Sequence, residues 1–339
     1  MPIRLLVTVA LIGGSLLTMT NPSFGQSDSQ VIRVGVIGLD TSHAIAFTKL
    51  LNDESNKDHV PGCKVVCAFP HGSPDIESSV SRIPQYTEQI QELGVEVVDS
   101  IETLLSRVDA VLLETNDGRP HLEQARQVIA AKKPMFIDKP VAGSLKDAIL
   151  IYREAEAAGV PVFSSSSLRF VPGALAARAG EYGEVTGCDT YSPASLEPTH
   201  PDLFWYGIHG VESLYTVMGP GCETVTRTST EYSDSVVGKW SDGRIGTFRG
   251  IRASKLGYGG TVYTKKQIEE IGPYAGYAPL VVEIVKFFQG GKPPVSARET
   301  VELYAFMEAA DESKRQDGVP VSIAETLEKA GLRDGEFGE

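Results

Sequence analysis

The sequence has 339 residues, of which 42% are hydrophobic and 22% are charged, and its formal net charge at pH 7 is −13. This is the composition of an ordinary globular protein with enough apolar residues for a full core, and the length favours two domains. A strongly acidic chain lacks the basic surface that binding to a phosphate backbone requires, so we expect no nucleic-acid partner.

The first 25 residues are typical of a secretory signal peptide. Arg4 is the only charged side chain among them, and a short apolar run, Leu5–Met19, follows it. Small residues at Ser23 and Gly25 predict cleavage after Gly25. The apolar run is shorter than the ~20 residues that span a bilayer, which disfavours the alternative of a retained anchor. The sequence therefore predicts a periplasmic or secreted protein that does not contact the membrane after cleavage.

Short apolar runs alternate with helical patterns over residues 31–165. This alternation predicts a parallel sheet covered by helices on both faces. The predicted strands are Val31–Ile37, Lys64–Phe69, Val95–Val98, Val108–Glu114, Pro134–Ile137 and Val160–Ser164, and the predicted helices are His43–Asn52, Pro84–Gly94, Ile101–Arg107, Pro120–Ala131 and Leu145–Gly159.

The pattern changes over residues 166–330, where strands separated by turn residues predict a largely antiparallel sheet. Residues 241–243 (Ser-Asp-Gly) are a hairpin signal between two of these strands. The whole chain is therefore predicted to be α/β, with a parallel-sheet domain followed by an α+β domain. The predicted strands are Val185–Tyr191, Thr224–Thr230, Ser235–Ser241, Gly243–Arg252 and Gly260–Thr264, followed by the helices Ala278–Gln289 and Ala297–Asp317.

The four cysteines, Cys63, Cys67, Cys188 and Cys222, are predicted to be buried free thiols. Cys63 and Cys67 lie four positions apart along one predicted strand. That separation spans ~13 Å, whereas a disulfide needs Cα atoms within ~7 Å. A pairing between more distant cysteines stays open in an oxidising compartment.

The turn after the first strand lies where a dinucleotide-binding loop would lie, but its sequence matches the fingerprint of such a loop poorly. The fingerprint G-x-G-x-x-G lets the backbone approach a pyrophosphate at a helix N-terminus. Residues 38–43 read Gly-Leu-Asp-Thr-Ser-His, so only Gly38 of the three glycines is present. A carboxylate at Asp40 would repel pyrophosphate unless it points away. Residues 40–43 (Asp40, Thr41, Ser42 and His43) therefore form either a different polar site at the strand end or a hydrogen-bonded helix cap.

The position that binds ribose hydroxyls also departs from the fingerprint. An acidic residue is expected at the end of the second strand. Residues 68–73 read Ala-Phe-Pro-His-Gly-Ser instead, and His71 and Ser73 suit a phosphorylated ribose only weakly. A ligand set of His43, His71 and Asp40 has no recognisable metal spacing, so no metal site is predicted.

Asp138-Lys139-Pro140 follows the predicted strand that ends at Ile137. A lysine at the carboxyl end of a parallel strand points into the crevice where such sheets bind ligands. Lys139 is therefore a candidate for stabilising negative charge on a substrate oxygen. The alternative is a solvated charge in a turn.

With these motifs in place, the chain resembles the Gfo/Idh/MocA family of oxidoreductases. The resemblance is carried by residues 34–38 (Val-Gly-Val-Ile-Gly), 108–111 (Val-Asp-Ala-Val) with Thr115, Asn116 and His121, and 136–140 (Phe-Ile-Asp-Lys-Pro). It continues through residues 207–212 (Gly-Ile-His-Gly-Val-Glu) and 293–296 (Pro-Pro-Val-Ser). The family usually has Glu-Lys-Pro where this chain has Asp138, and many members have an aspartate where this chain has Trp205.

The resemblance implies a Rossmann-like dinucleotide-binding domain over residues 31–165. A C-terminal domain for substrate binding and oligomerisation would cover residues 166–330. Binding of NAD or NADP and a small carbohydrate-like substrate is implied, as is a homo-oligomer joined through the second sheet. Lys139 and His209 are the implied catalytic residues. The residues expected to bind the cofactor are Gly38, Asp40, Thr41, Ser42, His43, Thr115, Asn116, Asp138 and Lys139.

His209 also fits a catalytic role on physical grounds. It lies at the start of a predicted helix, whose N-terminus disfavours the charged imidazolium. Glu212 lies three residues on, close enough to orient the ring. Three further residues, Arg169, Tyr206 and Glu212, are predicted to bind substrate, Tyr206 by stacking on a sugar ring. The alternatives are core packing for the aromatic residues 204–206 and an exposed position for Arg169.

Three functions are compatible with these residues. The first is an exported oxidoreductase that transfers hydride between NAD(P) and a sugar or related polyol. The second is a lyase or hydrolase acting on an already oxidised sugar, because free nicotinamide nucleotides are not expected outside the cytoplasm. The third is a sugar-binding protein without catalysis, since fold does not establish function.

Overall fold

A computed structural model of the chain describes Met1 and residues 31–253 and 255–338. The predicted signal peptide and its cleavage site therefore lie outside the described residues. Among the described helices, none has the length and the apolar character needed to cross a membrane.

The first half of the chain forms a six-stranded parallel sheet in the order β3-β2-β1-β4-β5-β6. Its central strands are buried on both faces because helices cover the sheet from either side, which confirms the predicted architecture. The strands are β1 (Ile32–Ile37), β2 (Cys63–Phe69), β3 (Glu96–Val97), β4 (Ala110–Leu113), β5 (Met135–Ile137) and β6 (Val162–Ser164). The helices are α1 (Ser42–Asn52), α2 (Glu77–Val80), α3 (Ile83–Glu92), α4 (Ile101–Leu105), α5 (His121–Ala130) and α6 (Leu145–Ala158).

The second half forms a seven-stranded sheet in the order β12-β11-β7-β10-β9-β8-β13. Only the β7–β10 pair is parallel, so the sheet is mostly antiparallel, as predicted. The predicted hairpin joins β9 to β10, and Gly243 takes the positive φ of 88° that its turn requires. The strands are β7 (Val185–Pro193), β8 (Cys222–Ser229), β9 (Ser233–Trp240), β10 (Ile245–Ile251), β11 (Gly259–Thr264), β12 (Ile268–Glu270) and β13 (Val321–Ser322).

The helices of the second half include several short ones that the sequence patterns did not predict. A 3₁₀ turn, Ser167–Phe170, follows the first sheet directly. The helices are α7 (Pro172–Arg178), α8 (Asp202–Trp205), α9 (Ile208–Met218), α10 (Ala278–Phe288), α11 (Ala297–Arg315) and α12 (Ile323–Lys329).

Helices from the second half of the chain pack against both sheets, and this brings the predicted site residues together. All residues of α9 are buried, and the helix lies against β7 and β10 of the second sheet. Helix α10 instead returns to the first half, where Leu280 and Ile284 pack in the same core as Val34 and Val36 of β1. Residues from both halves therefore meet at the carboxyl edge of the parallel sheet.

The four cysteines are buried and unbonded. Burial raises the pKa of Cys63 to about 12 and that of Cys67 to about 11. Burial likewise raises the pKa of Cys188 and of Cys222. All four side chains are therefore protonated core residues at neutral pH.

Candidate active site

Gly38 ends β1 in a conformation that only glycine adopts easily. Its φ is +99°, and a Cβ atom at this position would lie 2.4 Å from the backbone nitrogen of Thr115. The turns after β1 and β4 therefore contact each other at a point where a residue with a side chain would not fit. A tight turn after the first strand is what the first glycine of a dinucleotide-binding loop provides.

Asp40 points into the protein instead of presenting its charge to the crevice. Its side chain is fully buried. One carboxylate oxygen accepts a hydrogen bond from the backbone N–H of Asn116 at 2.9 Å, and the other accepts one from the Ser79 hydroxyl. Burial raises the pKa of Asp40, and these hydrogen bonds oppose the rise. The carboxylate therefore joins the loops after β1 and β4, and its repulsion of a phosphate is reduced.

Helix α1 begins directly after Asp40, with its N-terminus at the crevice. Thr41 is the N-cap, and its hydroxyl accepts the N–H of His43 at 3.4 Å. Ser42 is exposed, and the first turn contains no acidic residue. The helix N-terminus consequently remains available to an anion. Both alternatives for this loop are partly realised, because Thr41 caps the helix while His43 joins a polar site.

His43 and the Asp138-Lys139 pair meet at the floor of the crevice. Nδ1 of His43 lies 2.8 Å from Oδ2 of Asp138, and the Lys139 ammonium lies 3.7 Å from the same oxygen. Burial alone would raise the pKa of Asp138, but the charges of His43 and Lys139 lower it to about 2. Lys139 is only 6% exposed, so it is not the solvated turn lysine of the alternative interpretation.

Glu114, the residue after β4, adds a third carboxylate to this floor. It is fully buried, and neither carboxylate oxygen has a hydrogen-bond partner among the described residues. Burial, followed by the charge of Asp138, raises the pKa of Glu114 well above its usual range. Sequence reasoning missed Glu114 as a site residue, although an acidic residue closing an apolar strand was a usable signal.

Thr115 and Asn116 line the same strand end but are largely engaged within the protein. The Thr115 hydroxyl donates to Gln124 at 3.0 Å, and its carbonyl oxygen lies 2.8 Å from Nε2 of His121. His121 also lies 3.2 Å from the carbonyl oxygen of Val141 and is fully buried. This histidine therefore ties the β4 loop to the loop after Lys139.

His209 is the second residue of α9 and faces the crevice from the other half of the chain. Its Nδ1 lies 2.7 Å from the Ser166 hydroxyl, while Nε2 makes no hydrogen bond to any described residue. Burial, followed by the charges of Lys139 and His43, holds the pKa of His209 well below its usual value. The ring is therefore neutral at pH 7, and the causes are burial and neighbouring charges, whereas the sequence predicted the helix start as the cause. Ser166, which sequence reasoning missed, takes the orienting role expected of Glu212.

Glu212 and Arg169 are instead joined in a buried ionic network behind the crevice. Arg169 contacts the Glu212 carboxylate, and its Nη1 lies 2.7 Å from Oε1 of Glu299. Glu299 also pairs with Arg178 at 2.7 Å. Arg169 is only 2% exposed, which excludes the exposed alternative. This arrangement favours a structural role for Arg169 and Glu212 over the predicted substrate contact.

Tyr206 lies at the mouth of the crevice with three other tyrosines. Its ring centroid is 5.0 Å from that of His209, and its hydroxyl is 3.1 Å from the hydroxyl of Tyr258. Tyr274 and Tyr277 continue this aromatic wall towards His43. A cavity of about 680 Å³ opens beside it, with Tyr206, Tyr258, Leu196 and Leu256 among its lining residues. Of the neighbouring aromatic residues, Phe204 is fully buried core.

Asp117, after the Thr115-Asn116 pair, connects the two halves of the chain. Nε2 of His200 lies 3.1 Å from Oδ1 of Asp117 and accepts the N–H of Gly118 at the same distance. Arg119 binds both Asp117 and Asp75, and the Ser73 hydroxyl donates to Asp117. Sequence reasoning did not find this cluster.

The crevice retains the parts of a dinucleotide site that face the phosphates. Gly38 forms the tight turn after β1, the N-terminus of α1 is open, and the Asp40 carboxylate is engaged elsewhere. The ribose end differs, because the Ser73 hydroxyl is bound to Asp117 and only His71 remains partly exposed. The described residues thus fit a dinucleotide through the phosphate loop, without a carboxylate for the ribose hydroxyls.

Comparison with solved structures shows the same fold in dehydrogenases. An Agrobacterium radiobacter oxidoreductase in complex with NAD+, L-tartaric acid and magnesium is 16% identical, with a TM-score of 0.70 over 88% of this chain and 100% of that one. Myo-inositol dehydrogenase from Lactobacillus casei, in complex with NAD(H) and myo-inositol, is 16% identical, with a TM-score of 0.68 over 86% of this chain and 96% of that one. Scyllo-inositol dehydrogenase from the same organism is 14% identical, with a TM-score of 0.70 over 87% and 99%.

Comparison with protein-family models identifies the domain over residues 32–166. No curated protein matches the chain. Residues 32–166 match the family model described as an oxidoreductase family with an NAD-binding Rossmann fold. This match covers the parallel sheet, the Gly38 loop and Lys139, and it agrees with the strand order found in the structure. The domain of this chain over residues 32–166 matches the NAD-binding domain of the Gfo/Idh/MocA family of oxidoreductases.

Proposed function

We propose that this chain is an exported NAD(P)-dependent oxidoreductase that acts on a sugar or related polyol. The observation that carries the proposal is the pairing of a buried lysine and a neutral histidine in one crevice. Lys139 comes from the parallel sheet and His209 from α9, and the Lys139 charge is among the causes that lower the pKa of His209. Solved neighbours of the same fold bind NAD(H) and myo-inositol, which supports a polyol substrate.

His209 would accept the proton of the substrate hydroxyl. Ser166 Oγ already accepts the N–H of Leu168 at 3.1 Å and lies 2.7 Å from Nδ1 of His209. If Nδ1 carries the ring proton and donates it to Ser166, Nε2 is left as the acceptor facing the crevice. A neutral ring in a buried site is suited to general-base catalysis near neutral pH.

Lys139 would hold the substrate oxygen as its proton leaves. Its ammonium is almost fully buried and is fixed beside Asp138, so its charge acts with little screening by water. Gly38 and the first turn of α1 would hold the cofactor phosphates, and bound NAD(P) would supply the hydride acceptor or donor. The tyrosine wall of Tyr206 and Tyr258 would exclude water and present apolar faces to a sugar ring.

A test begins with the protein purified from its native compartment. Mass spectrometry after denaturation should release NAD(P), and the parent should reduce the cofactor with at least one member of a polyol panel. Lys139→Met and His209→Asn should each abolish that turnover without changing the melting temperature greatly. Lys146→Met, a change at an exposed lysine of α6, is the matched control and should retain it. Absence of nucleotide, together with no turnover when NAD or NADP is added, would refute the proposal.

A second candidate function is favoured by the replaced glycines at positions 40 and 43 and by the missing ribose carboxylate. The same His209 could abstract the proton beside the carbonyl of an already oxidised sugar, after which the C–O bond at the next carbon breaks and its oxygen leaves with a proton; this is a lyase reaction, later addition of water makes it a net hydrolysis, and neither consumes nucleotide. Conversion of a keto-sugar by the nucleotide-free protein, lost in His209→Asn, would support this function. A requirement for added NAD(P) would exclude it.

A further inference from the structure

We propose that His43, Glu114 and Asp138 bind one divalent first-row transition-metal cation at the floor of the crevice. The three residues come from three neighbouring strand ends, those of β1, β4 and β5. One ligand atom of each lies within 4.8 Å of the others, and all three side chains are buried. Cation binding here does not require the oxidoreductase function proposed above.

The hydrogen bonding of this cluster is incomplete. Both oxygens of Glu114 and Oδ1 of Asp138 have no partner within the part of the chain that the structure describes. Glu114 is fully buried and Asp138 is 1% exposed. Buried carboxylate oxygens are normally paired or bound to a metal, because leaving them unpaired costs several kcal/mol. These three oxygens belong to the same buried cluster as the His43 imidazole, and such a set of donors suits a cation.

The local charge also favours a divalent cation. Glu114 lies close enough to Asp40, Asp138 and Lys139 to interact electrostatically with each of them. The carboxyl groups of Glu114 and Asp138 lie beside the single ammonium of Lys139 in a site with little water. A divalent cation would displace the proton of Glu114 and bind both carboxylates.

The donor set and its dimensions select the kind of cation. One imidazole nitrogen with carboxylate oxygens suits Zn²⁺, Fe²⁺ or Mn²⁺, whereas Mg²⁺ prefers oxygen ligands and retains its waters. Three ligand atoms bound at about 2.0–2.2 Å lie about 3.5–3.8 Å apart when they are spread evenly around the ion, so the cluster needs to contract by up to about 1.3 Å. The His43–Asp138 hydrogen bond would give way to the cation.

The test measures metal binding by the full chain, with no substrate present. Protein stripped with a chelator is titrated with Zn²⁺ by calorimetry, with Mg²⁺ as the comparison cation, and Co²⁺ absorption reports the ligand set. We expect one equivalent of Zn²⁺ to bind, with Mg²⁺ much weaker. Glu114→Gln should weaken Zn²⁺ binding on the order of 100-fold or more, since even outer-shell changes cost 10–100-fold. His43→Phe, which keeps an aromatic ring against Phe47 and Tyr277, should do the same.

Glu302→Gln is the matched control. Glu302 is also a buried glutamate, but its carboxylate accepts the N–H groups of Gly221 and Cys222 at 2.6 and 2.9 Å. This variant should bind Zn²⁺ as the parent does. Stripped Glu114→Gln should melt no lower than the stripped parent, because the glutamine replaces a buried carboxyl group that has no hydrogen-bond partner among the described residues, and Zn²⁺ should no longer raise its melting temperature. Failure of the parent to bind Zn²⁺, or equal binding by Glu114→Gln, would overturn the proposal.

Discussion

Replacing Arg169 with methionine should destabilise the protein far more than the same change at Arg178. Both arginines bind the carboxylate of Glu299 at 2.7 Å, so the two variants remove chemically similar contacts from one acceptor. They differ in burial, because the Arg169 side chain is 3% exposed and that of Arg178 is 40% exposed. Arg169→Met also leaves Glu212 buried with only the Ser165 hydroxyl, at 3.2 Å, beside it.

The expected magnitude follows from that difference. Breaking a buried ion pair by removing one partner costs about 3–5 kcal/mol, whereas an exposed pair contributes about 0–1 kcal/mol. Unfolding entropy of about 2.1 cal/mol/K per residue over about 300 residues amounts to about 0.6 kcal/mol/K. Arg169→Met should therefore lower the melting temperature by about 6 °C, and Arg178→Met by about 1 °C.

Differential scanning calorimetry of the two variants and the parent at one pH and salt concentration measures the effect. A second variant, in which methionine at position 169 is combined with Glu212→Leu, should recover part of the loss, because an apolar pair replaces the unpaired carboxylate. If Arg169→Met melts within 2 °C of the parent, or no lower than Arg178→Met, the buried network does not stabilise this fold as argued. In that case Arg169 becomes a stronger candidate for the predicted substrate contact.

Two further predictions concern the crevice. Gly38→Ala should weaken NAD(P) binding and lower the free energy of unfolding by about 1–3 kcal/mol, because φ is positive at this position and the added Cβ atom would lie 2.4 Å from the backbone nitrogen of Thr115. An alanine variant that matches the parent in both fluorescence titration with NAD(P) and melting temperature would contradict this. Burial and Lys139 keep His209 neutral, so kcat/KM should stay level from pH 8 through about 6.5 and fall only at lower pH. Because the pKa of His209 is depressed on folding, its contribution to stability is present above about pH 6.5 and is lost as the pH falls below that value. A kcat/KM limb at the usual histidine pKa, still present in the Ser166→Ala variant, would exclude His209 as the base.

The order of elements could be predicted because the physical signals are local. Fully apolar runs such as β4 indicate strands buried on both faces, and Ser144 and Gly159 mark the ends of α6 as an N-cap and a left-handed C-cap. The two-residue strand β3 lies within the predicted strand Val95–Val98, whereas β13 carries too little pattern of its own and was not predicted. The return of α10 to the first sheet could not be predicted from its sequence, because an apolar helix face does not specify which sheet it will cover.

Candidate site residues were found where they lie in or beside motifs. They were missed where the contact joins residues that are distant in sequence. Lys139 and His209 lie beside recognisable motifs. Ser166 is the partner of His209 only because the 3₁₀ turn brings it there, and the two residues are 43 positions apart. The direction of the Asp40 side chain could not be predicted either. It is set by hydrogen bonds from Ser79 and Asn116, and no spacing rule connects these two residues to the loop.

The departures from the family pattern are connected through one contact. A glycine or other small residue at position 43 would leave the space beside the β5 strand end empty, whereas His43 fills it and places Nδ1 2.8 Å from Asp138. The longer glutamate of the usual Glu-Lys-Pro motif would carry its carboxylate one methylene further, into that imidazole. The aspartate at position 138 and the histidine at position 43 therefore fit each other. The histidine would fit the usual glutamate poorly, and the aspartate would fit the usual small residue poorly. Glu114 lies against both of them, so the altered loop is one part of a rebuilt crevice floor and cannot be understood as a simple loss of glycines.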